Sequence, residues 1–173
     1  MIKKILVPVD GSAHSVKAVE LASDLAEKYN SEVMLLHVLL RGHMPEGLKR
    51  AMDVEVRQGG GKSAQHLVNY PQEILARVDD KKTTQLSVDE LNFIGKKMLS
   101  GLVELCHGKG VKNVSQHIDE GNPVEIILKL AESADADMIV MGSRGLSELK
   151  GMLLGSVSYK VNNLSKCTCV TVK

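Results

Sequence analysis

Short apolar runs alternate along this chain with longer segments in which apolar residues recur at helical spacing. The runs are rich in branched side chains and predict buried strands at about residues 2–9, 32–39, 111–118, 138–141 and 169–172. The helical spacing predicts helices at about residues 12–29, 88–106, 122–134 and 155–163. Because strands and helices alternate, we expect an α/β fold: an open, doubly wound, five-stranded parallel sheet with helices on both faces, of Rossmann-like type.

One long segment, at about residues 41–87, interrupts this alternation with glycines, prolines and a run of charges. It follows the second predicted strand and is interpreted as an insertion into a single domain that spans residues 1–173. Two weakly amphipathic pieces, at 48–56 and 67–78, predict that the insertion is partly helical. Its Gly60-Gly61-Lys62-Ser63 does not form a phosphate-binding P-loop, because Val56 stands where the first glycine of that motif is needed. Lys62 or Arg41 remains a hypothetical lid residue over a bound phosphate.

The net charge, the apolar segments and the cysteines of the chain limit which classes of function we expect. The net charge of +1 provides no field that would gather nucleic acid, and no apolar segment approaches membrane-spanning or secretory-signal length. We therefore expect a cytoplasmic protein with no nucleic-acid or membrane partner. The aromatic residues are three tyrosines and one phenylalanine, so a bound base would lie between aliphatic walls. Cys106, Cys167 and Cys169 fit neither a disulfide framework nor a CxxC site and are expected to be buried thiols in a reducing compartment.

A glycine-rich stretch follows the fourth predicted strand and leads into the last predicted helix. Gly142, Gly145 and Gly155 would let backbone N–H groups approach an anion, because no Cβ stands in the way. The helix beginning there offers unpaired N–H donors and the hydroxyls of Ser156 and Ser158 to phosphate oxygens. Glycine content alone favours a plain flexible loop, since such loops are common.

The spacing Gly142-x2-Gly145-x9-Gly155-Ser156 resembles the nucleotide-binding signature of the ATP-binding universal stress proteins. The resemblance extends to residues 5–12 and 135–142 and leaves only the insertion uncovered. It implies a sheet of order 3-2-1-4-5, in which the strand order reverses between the first and fourth strands. Ligands of such sheets bind beyond the carboxyl ends of the strands at that reversal.

The resemblance also implies a role for individual residues. Asp10 would contact the ribose or a phosphate-bound Mg²⁺, although an Asp-Gly pair is also a common turn. Val38 and Met141 would line the adenine, and Pro8 and Val9 would form the floor of the pocket. The phosphates would be held by Gly142, Gly145, Gly155, Ser156 and Val157, with Ser158 as a second hydroxyl.

These observations predict a stress-response regulator that switches on binding ATP, or ADP or AMP, and that forms a homodimer through its last strand. A protein partner is expected but not identified. Slow ATP hydrolysis or phosphate transfer to Ser143, Ser147 or Ser156 is an alternative, although the motif supplies no general base. No catalytic residue is predicted, because the histidines lack paired metal-ligand spacing and no GxSxG is present. A module that binds no nucleotide is a third possibility. Two departures from the family, Tyr159 and Cys167-Thr168, concern the last helix and the last strand.

Overall fold

A computed structural model describes residues 1–39, 88–145 and 154–173. The expected α/β architecture is confirmed by the order of the elements. They are β1 (Lys4–Val9), α1 (Ala13–Tyr29), β2 (Glu32–Leu39), α2 (Val88–Gly108), β3 (Asn113–Glu120), α3 (Pro123–Ser133), β4 (Met138–Gly142), α4 (Ser156–Leu164) and β5 (Thr168–Val172).

The five strands form one sheet of order β3-β2-β1-β4-β5, in which every neighbouring pair is parallel. This confirms the predicted order and places the reversal of strand order between β1 and β4. The carboxyl ends of these two central strands are therefore the expected position of a ligand site.

Apolar residues cover both faces of the sheet, as the continuous apolar runs predict for parallel strands. On the first face, α1 and α2 pack over alternate strand residues such as Val7, Leu35 and Val140. On the second face, residues of α3 and α4 pack over Leu6, Leu36 and the other strand residues whose side chains point to that face. A side chain near the reversal point therefore belongs to one of two separate layers.

The helix ends follow sequence signals. The Ser12 hydroxyl accepts the N–H of Ser15 at the start of α1, and Asn30 ends that helix in the left-handed conformation. The Asn122 side chain accepts the N–H of Val124, and Pro123 opens α3. These are the signals on which the predicted helix boundaries rested.

The third strand begins two residues later than the apolar pattern predicts, at Asn113. Val111 lies in the turn that caps α2, because its N–H donates to the carbonyl of Cys106. Gly110, with φ of +90°, makes that turn. The buried side chain of Val111 is therefore part of the turn that ends α2. The strand that follows, β3, is a half-exposed edge strand.

The predicted insertion at 41–87, with Arg41, Lys62 and its two amphipathic pieces, lies outside the described residues, as do residues 146–153, which include Ser147. Of the helices that the structure does describe, none combines the length and apolar character needed to cross a membrane.

Candidate functional site

The crevice between β1 and β4 opens because the two strands separate. Their register covers only two residue pairs and ends at Leu6 and Ile139. On the other side of β1, the register with β2 continues to Val9. The sheet is therefore intact between β1 and β2 and divides between β1 and β4, at the point where the strand order reverses.

Pro8 accounts for this division. The carbonyl of Lys3 accepts a hydrogen bond from β2, whereas the carbonyl of Lys4 accepts one from Asp137 at the start of β4. Because successive residues of a strand direct their backbone groups to opposite edges, Pro8 shares the β4-facing edge with Lys4 and Leu6. Proline has no N–H to donate, so the β1–β4 ladder cannot continue at this residue.

The turn after β1 holds an acidic side chain beside the crevice. Gly11 adopts φ of +83°, a conformation that glycine accommodates without strain. Asp10 Oδ1 accepts the N–H of Ser12 at 3.0 Å, which fixes one side of the carboxylate. A Cβ added to Gly145 would lie 2.5 Å from Asp10 Oδ2. The second motif glycine therefore lets the chain from β4 pass directly over this carboxylate.

The first motif glycine, Gly142, lies against the first turn of α1. A Cβ there would lie 2.9 Å from the Cβ of His14 and 3.0 Å from the backbone N of Ser15. These neighbours are backbone or backbone-adjacent atoms, so they could not move without moving the helix. The glycine thus permits the close packing of β4 against α1.

The third motif glycine, Gly155, joins the beginning of α4 to the exit of β4. Its N–H donates to the carbonyl of Ser143 at 2.7 Å. The buried hydroxyl of Ser158 donates to the same carbonyl at 2.7 Å and also lies 3.0 Å from the carbonyl of Gly155. The Ser158 hydroxyl thus links the helix to the strand, and its contact with a phosphate stays a prediction. Ser156 remains exposed.

The start of α4 carries hydrogen-bond donors without acceptors. Gly155 is the N-cap and has no side chain to accept them, so within the described residues the N–H groups of Ser156, Val157 and Ser158 have no partner. Arg144 adds a further donor, because its Nε is buried and has no hydrogen-bond partner among the residues that the structure describes. The Arg144 Cα lies 3.5 Å from the position of a Cβ on Gly155. Unpaired donors and the positive end of a helix dipole favour an anion here.

Val38 and Met141 lie in the same layer, on the face covered by α3 and α4. Val38 is half-buried and Met141 is buried. Val9 lies in the opposite layer, because its buried side chain belongs to the cluster under α1 and α2. That Pro8 and Val9 form the floor of the pocket stays a prediction, and the position of the Val9 side chain means that Val9 would contribute its backbone.

The histidine of β2 at this edge, His37, was not singled out by the sequence. Its Nδ1–H donates to the carbonyl of Val9 at 2.9 Å, and its ring packs against Gly95 of α2. Burial lowers the pKa of His37 below its ordinary value of 6.5, while the bond to Val9 and the nearby Asp10 carboxylate oppose this shift. The available sequence signal for this contact was the parallel alignment of the first two apolar runs, in which His37 pairs with Val9.

The described residues contain no group of three or more His, Cys, Asp or Glu side chains placed to hold a metal ion. Asp10 is thus the acidic side chain that the geometry places at the β1–β4 crevice. A Mg²⁺ held chiefly by phosphates needs only one or two carboxylates from the protein, and Asp10 could supply one.

Comparison with known proteins gives consistent results. A model of the universal stress protein family matches residues 1–173. The universal stress protein YxiE of Bacillus subtilis is 32% identical over 173 residues, covering all of both chains. The universal stress protein UspA from Lactobacillus plantarum has a TM-score of 0.69 at 20% identity and covers 99% of this chain and 98% of its own. The universal stress protein from Archaeoglobus fulgidus in complex with dAMP has a TM-score of 0.62 at 19% identity and covers 100% of both chains. These structural likenesses show the fold.

Proposed function

Because the chain belongs to the universal stress protein family, we propose that it is a stress-response regulator that binds an adenine nucleotide at the β1–β4 crevice. The observation that carries this proposal is the set of donors without acceptors around Gly155. Three backbone N–H groups of α4 and the buried Nε of Arg144 lie beside the exit of β4. A phosphate group would satisfy several of them at once.

The proposed arrangement divides the ligand between the two central strands. The phosphates lie at Gly142, Gly145 and the start of α4, where Ser156 and Val157 donate. Asp10 contacts the ribose or a Mg²⁺ held by the phosphates, and the adenine lies by Val38 and Met141. ATP is the proposed ligand, with ADP and AMP as related candidates. The fold neighbour from Archaeoglobus fulgidus in complex with dAMP supports the adenine nucleotide class.

A regulatory role requires that binding change something outside the crevice. The N–H of Ser143, between the phosphate loop and β4, donates to the carbonyl of Val172 in β5 at 2.7 Å. β5 is an edge strand and is the surface through which we propose that two copies pair. A nucleotide that positions residues 142–145 would therefore affect β5 directly, to the extent that it prefers one arrangement of the two.

Isothermal titration of ATP, ADP, AMP and GTP tests the proposal. The wild-type protein should bind the adenine nucleotides in preference to GTP. Gly145→Ala places a methyl group against Asp10 Oδ2 and should weaken ATP binding about 10- to 150-fold, the equivalent of one hydrogen bond to a charged group. Gly108→Ala is the matched control, because its Cβ meets nothing within 4 Å. Absence of adenine-nucleotide binding by the wild type would refute the proposal.

Slow turnover remains the alternative function. Ser143 is fully buried, whereas Ser156 is exposed at the first position of α4, so Ser156 is the better acceptor of the two for a transferred phosphate. A single-turnover assay with labelled ATP distinguishes the possibilities: intact nucleotide recovered from the protein supports a binding switch, and labelled Ser156 or released phosphate supports an enzyme.

A further inference from the structure

Two thiols lie together at the turn between α4 and β5, at the amino end of β5 and therefore at the end of the sheet opposite the β1–β4 crevice. Cys167 directly precedes β5, and Cys169 is its second residue. Both are half-buried and pack against the same apolar cluster, which corrects the expectation that all three thiols are buried. Residues at this spacing in an extended chain are about 6.6 Å apart and face the same side.

Hydrogen bonds connect Cys167 to the Ser165 hydroxyl and Cys169 to the backbone of Cys167. Its Oγ lies 3.3 Å from Cys167 Sγ and accepts the N–H of Cys167 at 3.2 Å. Cys169 Sγ in turn donates to the carbonyl of Cys167 at 3.8 Å. Burial raises the pKa of Cys169, and a hydrogen bond with Ser165 opposes that shift. Cys167 Sγ thus contacts the Ser165 hydroxyl, and Cys169 Sγ contacts the backbone of Cys167.

A groove of about 340 Å³ gives access to this position. Leu128, Ala131 and Leu164 form its apolar wall, and Cys167 and Ser165 lie at its edge. An exposed ion pair joins Lys166 of this turn to Glu132 of α3. A small ion could therefore reach Cys167 without any rearrangement of the sheet.

We propose that Cys167 and Cys169 form a two-coordinate site for a soft monovalent cation, of which Cu⁺ is the representative. Thiolates favour soft ions, and Cu⁺, Zn²⁺ and iron–sulfur clusters are the biological examples. A tetrahedral Zn²⁺ site would need further ligands, and no group of three metal-ligating side chains occurs within the described ranges. Two adjacent thiols, without a third metal-ligating side chain in the part of the chain that the structure describes, match an ion that is satisfied by two sulfur ligands.

Binding is a ligand exchange without oxidation or reduction. Each thiol loses its proton to solvent, and the two resulting Cu–S bonds produce an anionic bis-thiolate complex with Cu⁺ unchanged in oxidation state. Two protons are released for each ion that is bound. The site does not depend on the proposed nucleotide function.

The test is an anaerobic titration of the full-length protein with Cu⁺ against a chromophoric Cu⁺ chelator. The wild type should bind one Cu⁺ per chain at this site. Cys167→Ser and Cys169→Ser should each weaken binding by roughly 10²- to 10⁴-fold, the gain expected when a second attachment becomes intramolecular. Cys106→Ser is the matched control, because this buried thiol accepts a hydrogen bond from Ser23 at 3.3 Å and lies in the opposite layer. It should leave the affinity unchanged.

Three outcomes would overturn the proposal: a Cys106→Ser variant that loses binding, single-serine variants that bind as tightly as the wild type, or one Cu⁺ shared by two chains. Thermal unfolding of each variant shows whether it is folded. If a serine variant is unfolded, alkylation of the wild type provides the second measurement. One equivalent of Cu⁺ should protect both Cys167 and Cys169 from a maleimide, and failure to protect either thiol contradicts the site.

Discussion

Replacing Gly155 by Asp should stabilise the empty protein and weaken nucleotide binding. Gly155 is the N-cap of α4, and its φ of −73° and ψ of 163° suit an aspartate. A Cβ there would lie no closer than 3.5 Å to its neighbours, which is an ordinary contact. The new carboxylate would accept the N–H groups that start α4. The side chain would thus take the place that we assign to phosphate.

The two effects can be estimated separately. A better cap adds a few tenths of a kcal/mol and a negative charge at a helix N-terminus adds about 0.3–1 kcal/mol, so we expect a gain of about 0.5–1 kcal/mol in the free energy of unfolding. For a chain of this size that raises the Tm by about 1–4 °C. Loss of one charge-assisted contact to the ligand, about 1.5–3 kcal/mol, weakens ATP binding about 10- to 150-fold.

Urea unfolding of nucleotide-free protein and isothermal titration of ATP measure the two effects. Gly155→Asn is the control, because it provides the cap without the charge and should therefore weaken binding less than Gly155→Asp. If Gly155→Asp lowers the stability, the N–H groups are not available as described. If it raises the stability and ATP binding is unchanged, the phosphates do not lie at α4.

Two further predictions concern the close contacts around the crevice. Gly142→Ala should lower the free energy of unfolding by about 1–3 kcal/mol, because the added Cβ overlaps His14. The control, Gly108→Ala, should change the urea midpoint little. Equal midpoints for the two variants would contradict the packing of β4 on α1. Burial lowers the pKa of His37 in the folded protein, so the unfolded chain binds a proton at this residue more readily than the folded chain does. The neutral imidazole therefore contributes its full stabilisation above pH 6.5, and this contribution is lost as the pH falls below that value. The urea midpoint should therefore fall more between about pH 7.5 and about pH 5.5 in the wild type than in His37→Gln, with His117→Gln behaving as the wild type; an equal fall in the wild type and His37→Gln would show that His37 is not the group responsible.

Much of the fold could be predicted because it depends on interactions between residues that are close in the sequence. Ser12, Asn30 and the Asn122-Pro123 pair carry the hydrogen-bonding and conformational preferences that end helices, and the structure uses each of them as expected. The start of β3 could not be predicted from its apolar residues. Val111 is buried like a strand residue, but a glycine turn places it in the cap of the preceding helix.

The site was less predictable, because its details depend on contacts between distant segments. The spacing of the glycines indicated an anion-binding loop but not that each glycine has a different neighbour: α1 for Gly142, Asp10 for Gly145, and the β4 exit for Gly155. The layer in which Val9 lies depends on strand alternation within an assembled sheet. The hydroxyl of Ser158 could not be assigned either, since its acceptor, Ser143, is fifteen positions away.

The role of Pro8 has a consequence for how such proteins diverge. If one proline in a central strand is enough to end the pairing of two strands, the crevice is a property of the sheet and is conserved independently of the surrounding loops. A descendant could then replace its loop sequences, and even abandon its ligand, while the hollow persists. We expect such descendants to fill that space with larger side chains, so the size of the residues facing the gap would distinguish chains that have kept a small-molecule ligand from chains that have lost it.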